Sequence, residues 1–374
     1  MTRRALLAST FFLFLMAKTA SSQNIIESED LVFNLDFESS FEAFGPIETE
    51  THYAFIDLQL EKIKLFDKGK RNVVENRSLV TKGPNSTQSP ISLFYAESNF
   101  YVIDFYKATL NKLNDSGEVV QIYDFQSSLI GRSGYFPSWI SRVNGSTDYA
   151  YIPIQAGIEF NSGLSDHSIN TILNIDLKSG EMKMLLPYPK NYQNHIAAGY
   201  TSFVSTTYNK KSGSLVVSFP LEESVYEINK ASEITEHQTN SKSSIDISQH
   251  FYKDESALKS AFDRKQYSEN YLSKSSFWVI CYDAFNDVYW RFINQPVTNK
   301  YEDLSVSEQV LNRSYRIEIL NSEFKSIFLS TPISGIDLSV NTGKAFVTKG
   351  GIHVLSNDQN NENLIRFKTF VFQR

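Results

Sequence analysis

A short phrase returns along this chain and constrains its fold more than any other feature. It reads Tyr53-Ala-Phe-Ile-Asp57, then after a gap Ile63-Lys-Leu-Phe-Asp67-Lys-Gly69. It comes back as Phe100-Tyr-Val-Ile-Asp104 with Leu110-Asn-Lys-Leu-Asn-Asp-Ser-Gly117. Looser copies are Thr171-Ile-Leu-Asn-Ile-Asp176-Leu-Lys-Ser-Gly180, and Ser214-Leu-Val-Val-Ser-Phe219 with Val225-Tyr-Glu-Ile-Asn229. Each copy is a strand, a turn and a second strand, and the copies recur about every fifty residues. A repeat of that period built only from strands predicts an all-β ring, a β-propeller with one copy per blade. Aromatic residues make up 14% of the chain, mostly Phe and Tyr, which suits pleated and half-buried surfaces and asks for no ligand to explain it.

The N-terminus carries a different signal. Met1-Thr2-Arg3-Arg4 is positive, residues 5–17 are apolar, and the small residues Ala20-Ser21-Ser22 precede Gln23. This is the layout of a secretory leader, with cleavage expected after Ser22. The apolar run is shorter than the roughly 20 residues of a membrane span. The domain reading is therefore 1–22 signal peptide and 23–374 propeller, exported to the periplasm or secreted, with no transmembrane segment after cleavage. Losing Arg3, Arg4 and Lys18 takes the formal charge from −6 to −9. No basic cluster remains to neutralise phosphates, so nucleic acid is not an expected partner. Cys281 is the single cysteine, which excludes an intrachain disulfide and an N-terminal lipid anchor. Its apolar neighbours predict a buried, inert thiol.

Six blades can be drawn, at about 50–82, 90–126, 147–188, 198–238, 275–330 and 333–374. Tyr149-Ala-Tyr-Ile-Pro153 is expected as the inner strand of the third. Leu31-Val-Phe-Asn-Leu-Asp36 and Phe367-Lys-Thr-Phe-Val-Phe372 read as strands at opposite ends of the chain, and their pairing would close the ring as a monomer with no broken edge. The polar stretch 240–274 breaks the pattern. Phe251, Leu258, Ala261 and Phe262 predict a short helical insertion near 250–272, capped by Asp254, either a surface crossover or a lid over one channel mouth.

Several longer phrases together resemble one family. They are Lys82-Gly83-Pro84-Asn85, Leu215-Val-Val-Ser-Phe-Pro-Leu221, Ile280-Cys-Tyr-Asp283-Ala-Phe-Asn-Asp-Val-Tyr-Trp-Arg291-Phe292, Ala345-Phe-Val-Thr-Lys-Gly-Gly-Ile352 and Asn363-Leu-Ile-Arg-Phe367. On these the chain resembles the TolB-like six-bladed β-propellers, and within them the Bacteroidota family known as domain of unknown function 4221. The resemblance implies a six-bladed ring exported across the inner membrane. It implies no established activity. Members look like lipoproteins with a cysteine just after the leader, and this chain has none there.

No HExxH, Gly-x-Ser-x-Gly, phosphate loop or Cys-x-x-Cys occurs. Ser165-Asp166-His167 holds the residue types of a triad, but adjacent residues cannot take triad geometry, so a polar loop is expected there. The six histidines have no metal-ligand spacing, and no metal site or cofactor is predicted. His195 is the histidine most worth following, because its loop leads into the fourth blade. Trp139 with Arg142 places an aromatic face beside a fork of donors, as a sugar or acid site would, with core packing as the bland alternative. Tyr282, Asp283 and Arg291 form a second candidate group. Asp283 could instead be a turn former, and Arg291 could instead pair with an acid and lock neighbouring blades.

Three functions fit this chain. The first is a non-catalytic module binding a glycan, a peptide or an envelope protein. The second is a calcium-dependent hydrolase, a lactonase or esterase with its site on the axis, by analogy of fold alone. The third is a structural part of an envelope assembly.

Overall fold

The computed structural model describes residues 23–39, 43–83, 85–126, 135–138, 142–156, 167–193, 196–197, 201–243, 245–263, 272–297, 312–338, 342–358, 361 and 363–374. The expected leader, residues 1–22, lies outside them. Six antiparallel sheets of four or five strands are arranged as a six-bladed β-propeller, and in five of them the strands run in sequential order from the axis outward.

Blade 1 runs Ala43–Glu48, His52–Asp57, Lys62–Asp67, Val73–Ser78. Blade 2 runs Pro90–Ala96, Asn99–Asp104, Thr109–Leu113, Val119–Asp124. In blade 3 the innermost position is shared by two short pieces, Tyr135–Pro137 and Asn144–Gly145, followed by Tyr149–Ala156, Asn170–Asp176 and Met182–Pro187. Blade 4 runs Ser205–Asn209, Ser214–Ser218, Val225–Ile228, Ile234–His237, and blade 5 runs Ser276–Asp283, Val288–Asn294, Tyr315–Asn321, Ser326–Leu329. Blade 6 takes Ala345–Thr348, Gly351–Leu355 and Leu364–Gln373 from the end of the chain, and its outermost strand, Asn24–Asn34, from the beginning. The expected pairing of the two ends is present, with Leu31 opposite Phe367 and Phe33 opposite Ile365.

Two boundaries differ from the sequence reading. Tyr149–Ala156 is the second strand of blade 3, because Tyr135–Pro137 and Asn144–Gly145 both pair with its inner edge. Blade 1 begins at Ala43 rather than 50. There Gly45 and Pro46 interrupt the register between Phe44 and Ile47, so the strand lacks the alternation that would announce it.

The recurring Asp has a physical role that explains the repeat. It ends a strand and folds its carboxylate back onto the following turn. Asp57 accepts from Leu60 N, Asp67 from Gly69 N and Lys70 N, Asp104 from Lys107 N, and Asp176 from Lys178 N and Ser179 N. Asn209 does the same for Lys211 N and Ser212 N. The apolar residues before each Asp fill the wedges between blades. Ala54, Ile56 and Leu65 of blade 1 meet Leu93, Phe100 and Val102 of blade 2. Trp290 and Phe292 of blade 5 meet Val354 and Phe372 of blade 6. A middle strand is covered on both faces, which is why Val288–Asn294 is buried throughout while outermost Val73–Ser78 is largely exposed.

The expected insertion forms a helix at Glu255–Asp263. Asp254 caps it by accepting from Ala257 N at 2.8 Å, and Leu258 is its buried contact. Among the described residues no helix is long and apolar enough to cross a membrane.

Two buried histidines give the fold an acid sensitivity. His353 sits between Thr348 Oγ1 and Thr369 Oγ1, 2.8 and 2.9 Å from its ring nitrogens, and burial, helped by Arg71, pushes its pKa down to about 4. Burial also pushes His250 down to about 4. Both groups are neutral in either state above pH 6.5, so their neutral forms cost nothing there. As pH falls from about 6.5 toward 4 the unfolded chain takes up the proton first, and stability is lost. At pH 5 the loss is about 2 kcal/mol per histidine. Denaturant titrations at pH 7.5 and 5.0 should show His353→Gln losing about 2 kcal/mol less than the parent chain on that acid step. An equal loss in both would remove His353 as the cause.

Candidate functional site

The innermost strand of each blade is hydrogen-bonded through its backbone to one neighbour only, so its other edge must find partners across the gap to the next blade. Side chains supply them. Ser92 Oγ of blade 2 accepts from Val143 N of blade 3 at 3.4 Å. Asn144 of blade 3 donates to Thr206 Oγ1 of blade 4 at 2.8 Å. Ser205 Oγ and Thr207 Oγ1 of blade 4 accept from Ile280 N and Tyr282 N of blade 5 at 3.0 and 2.9 Å. These bonds hold the innermost strands around the axis and leave a cavity of about 390 Å³ between them.

All six blades contribute to its wall. Ile47 and Glu48 come from blade 1, Phe94 and Tyr95 from blade 2, and Arg142 and Asn144 from blade 3. Thr206 and Tyr208 come from blade 4, Cys281 and Tyr282 from blade 5, and Phe346 from blade 6. Arg142 is the most informative of these. Its Nη2 donates to Gly343 O at 2.9 Å, and Gly343 precedes the innermost strand of blade 6. Blades 3 and 6 are opposite in a ring of six, so the Arg142 side chain crosses the axis. Burial lowers its pKa, but a guanidinium stays charged at neutral pH. Gly145 beside it is held close to the next strand. A Cβ there would stand 2.1 Å from Tyr149 O, so no side chain fits at that point of the wall.

Cys281 faces the cavity as a thiol. Burial pushes it up to about 12, outweighing the attraction of Arg142 for the thiolate. The Tyr282 hydroxyl donates to Asp287 at 2.9 Å, and burial, then Asp287, raise its pKa. Glu48 is bridged by Lys68 at 2.8 Å. Among the described residues no group of three or more His, Cys, Asp or Glu side chains could hold a metal ion.

The residues singled out in the sequence divide three ways. Arg142 and Tyr282 line the cavity. Trp139 and His195 lie outside the described residues. Asp283 and Arg291 are elsewhere. Asp283 is fully buried and works as a turn former, accepting from Phe285 N, Asn286 N and Trp290 Nε1. Arg291 is fully buried between blades 4 and 5, with Nη2 2.6 Å from Glu318 Oε2, so its contacts are those of the blade lock. Of Ser165-Asp166-His167, His167 alone lies within the described residues, in a turn ahead of Asn170–Asp176. It is buried, 2.9 Å from Ser202 Oγ, with its ring against Tyr188 and Tyr192.

Sequence reasoning passed over Tyr95, Asn144, Tyr208 and Lys210. One signal could have found part of the set. When the repeats are aligned, Tyr95, Tyr208 and Tyr282 fall near the end of the innermost strand in blades 2, 4 and 5.

The sequence matches, over residues 20–327, the profile of a domain of unknown function, DUF4221. A DUF4221 family member from Bacteroides vulgatus superposes with a TM-score of 0.71 at 18% identity, covering 94% of this chain and 99% of that one. A candidate exported protein from Bacteroides fragilis superposes with a TM-score of 0.56 at 10% identity, over 94% of this chain and 96% of that one. At these identities the likenesses speak of fold alone. No curated protein matches the sequence.

Proposed function

We propose that this chain, which belongs to the DUF4221 family, is an exported binding module that holds a small ligand in its axial cavity without transforming it. One observation carries the reading: the innermost strands of all six blades converge on a cavity of about 390 Å³, a volume in the range of small-molecule sites. Its wall combines aromatic faces, hydroxyls, an amide and a guanidinium, which suits recognition. The ionisable groups around it are poorly placed for proton transfer or attack near neutral pH. The thiol is pushed up to about 12, the Tyr282 hydroxyl is raised, and Glu48 is held by Lys68. Export is supported by the leader-like N-terminus.

A thermal-shift screen of the protein against pooled glycans, peptides and small organic acids tests this. A true ligand at one hundred times its Kd stabilises by about 2.7 kcal/mol. The shift is expected to vanish in Arg142→Met and Tyr208→Ala. A calcium shift reversed by chelation, with turnover of an ester or lactone, would replace this reading with a metal-dependent hydrolase.

A further inference from the structure

We infer that the axial cavity takes the C-terminal carboxylate of a short peptide whose upstream end carries a positive charge. The inference rests on the cavity being a binding site, as proposed above, and adds the class of ligand.

Its first support is shape. A second depression of about 570 Å³ adjoins the cavity and shares Glu48, Tyr95, Gly145, Tyr208 and Lys210 with it. The first-to-second hairpin turns of blades 1, 2, 3 and 4 line this depression, and blades 5 and 6 do not. The two spaces together form a groove running from the axis to one side, the shape of an elongated guest held by one end.

Its second support is the order of charge along that groove. The axial end carries the Arg142 guanidinium, and at the junction Lys210 stands with Glu48, whose charge is offset by its bridge to Lys68. Beyond the junction the outer end carries a carboxylate on three successive hairpin tips: Glu50 in blade 1, Glu97 in blade 2 and Asp148 in blade 3. Glu50 accepts from the Tyr95 hydroxyl, and Asp148 is bridged by Lys178. The Asp148–Lys178 pair is solvent-exposed, the kind that contributes about 0–1 kcal/mol and yields to a guest. Lys230 stands on the blade 4 side with Lys210. A carboxylate at the axis and a cation over blades 1–3 match this field, and the reverse orientation opposes it. Tyr95, Tyr149 and Tyr208 along the walls offer flat faces to a peptide backbone and its apolar side chains.

Calorimetric titration of the protein with the tripeptide Lys-Ala-Leu, both ends uncapped, tests the inference. The same peptide as C-terminal amide, the peptide Glu-Ala-Leu, and maltotetraose complete the set. Lys-Ala-Leu is expected to bind at least tenfold more tightly than its amide and than Glu-Ala-Leu. The exposed double variant Glu97→Gln/Asp148→Asn should erase the preference for lysine over glutamate while keeping the preference for acid over amide. Equal affinity for acid and amide, or for the lysine and glutamate peptides, overturns the inference. Maltotetraose binding that is lost in Tyr208→Ala overturns the peptide class and leaves the cavity standing. Tripeptide binding that survives both Arg142→Met and Tyr208→Ala overturns the cavity as the site, and this inference with it.

Discussion

Arg291→Ala is expected to lower the unfolding free energy by about 3–5 kcal/mol, the cost of leaving one member of a buried ion pair alone. Arg291 and Glu318 are both fully buried. The guanidinium gives Nε and Nη2 to Glu318 Oε2 at 3.0 and 2.6 Å, Nη1 to Glu223 O at 2.7 Å and Nη2 to Thr239 Oγ1 at 3.0 Å. It lies 3.9 Å from the centre of the Phe277 ring. The second oxygen of Glu318 accepts from Ser241 Oγ at 2.7 Å and Ser326 Oγ at 2.6 Å. Burial alone would raise the Glu318 pKa, but Arg291 and these hydroxyls outweigh it and hold the carboxylate ionised. Glu223, Thr239 and Ser241 lie in or beside blade 4, and Arg291 and Glu318 are in blade 5, so one cluster joins two blades. Urea unfolding with an unchanged slope and a lowered midpoint would measure the loss. Replacing both partners together, as Arg291→Met/Glu318→Leu, should recover most of it, because the uncompensated charge is gone. A loss under about 1 kcal/mol in the single variant would mean that the cluster does not hold the blades.

Phe33→Ala carries a cost of similar size, about 3–5 kcal/mol for a fully buried ring. Phe33 is contributed by the N-terminal strand, yet its edge contacts reach Tyr53, Phe55 and Phe66 of blade 1, with ring centres 5.0–5.4 Å away, and Phe367 of blade 6 at 5.9 Å. It is therefore the side chain that seats the closing strand against both neighbours. Phe33→Leu should lose less than half as much. Proteolysis should cut first within 23–35 in the alanine variant. Stability and cleavage unchanged from the parent would show that the closing strand is held by its backbone ladder alone.

Much of the ring was legible in the sequence, because its middle strands are covered on both faces and must be apolar. Phrases such as Tyr-Val-Ile-Asp104 and Asn-Ile-Asp176 record that burial together with the turn chemistry that ends each strand. The innermost strands of blades 1 and 3 were harder to see. Ala43–Glu48 contains Gly45 and Pro46, and in blade 3 the position is split into pieces of three and two residues. These two pair on one side only and face a channel on the other, and they show neither alternation nor an apolar run, unlike the innermost strand of blade 5, Ser276–Asp283, which is buried throughout. The candidate site was harder still. Its lining is drawn a few residues at a time from stretches about fifty residues apart, and no local motif records that they meet. Arg142 drew notice only for a neighbouring tryptophan. What distinguishes it is a bond to Gly343, two hundred and one residues away. Arg291 and Asp283 drew notice for chemistry that serves the framework instead.

The pairing of Asn24–Asn34 with Leu364–Gln373 also orders events in time. Asn24–Asn34 is made long before the strand it docks onto, so the ring cannot close until Leu364–Gln373 has been synthesised. Contacts of such long sequence separation form slowly. Until then the nascent chain lacks its final wedge and remains an open string of blades. A polypeptide in that condition can still be threaded lengthwise through a narrow opening. Once Leu31 has found Phe367, it is a closed cylinder that has to be unlatched before it can be threaded again.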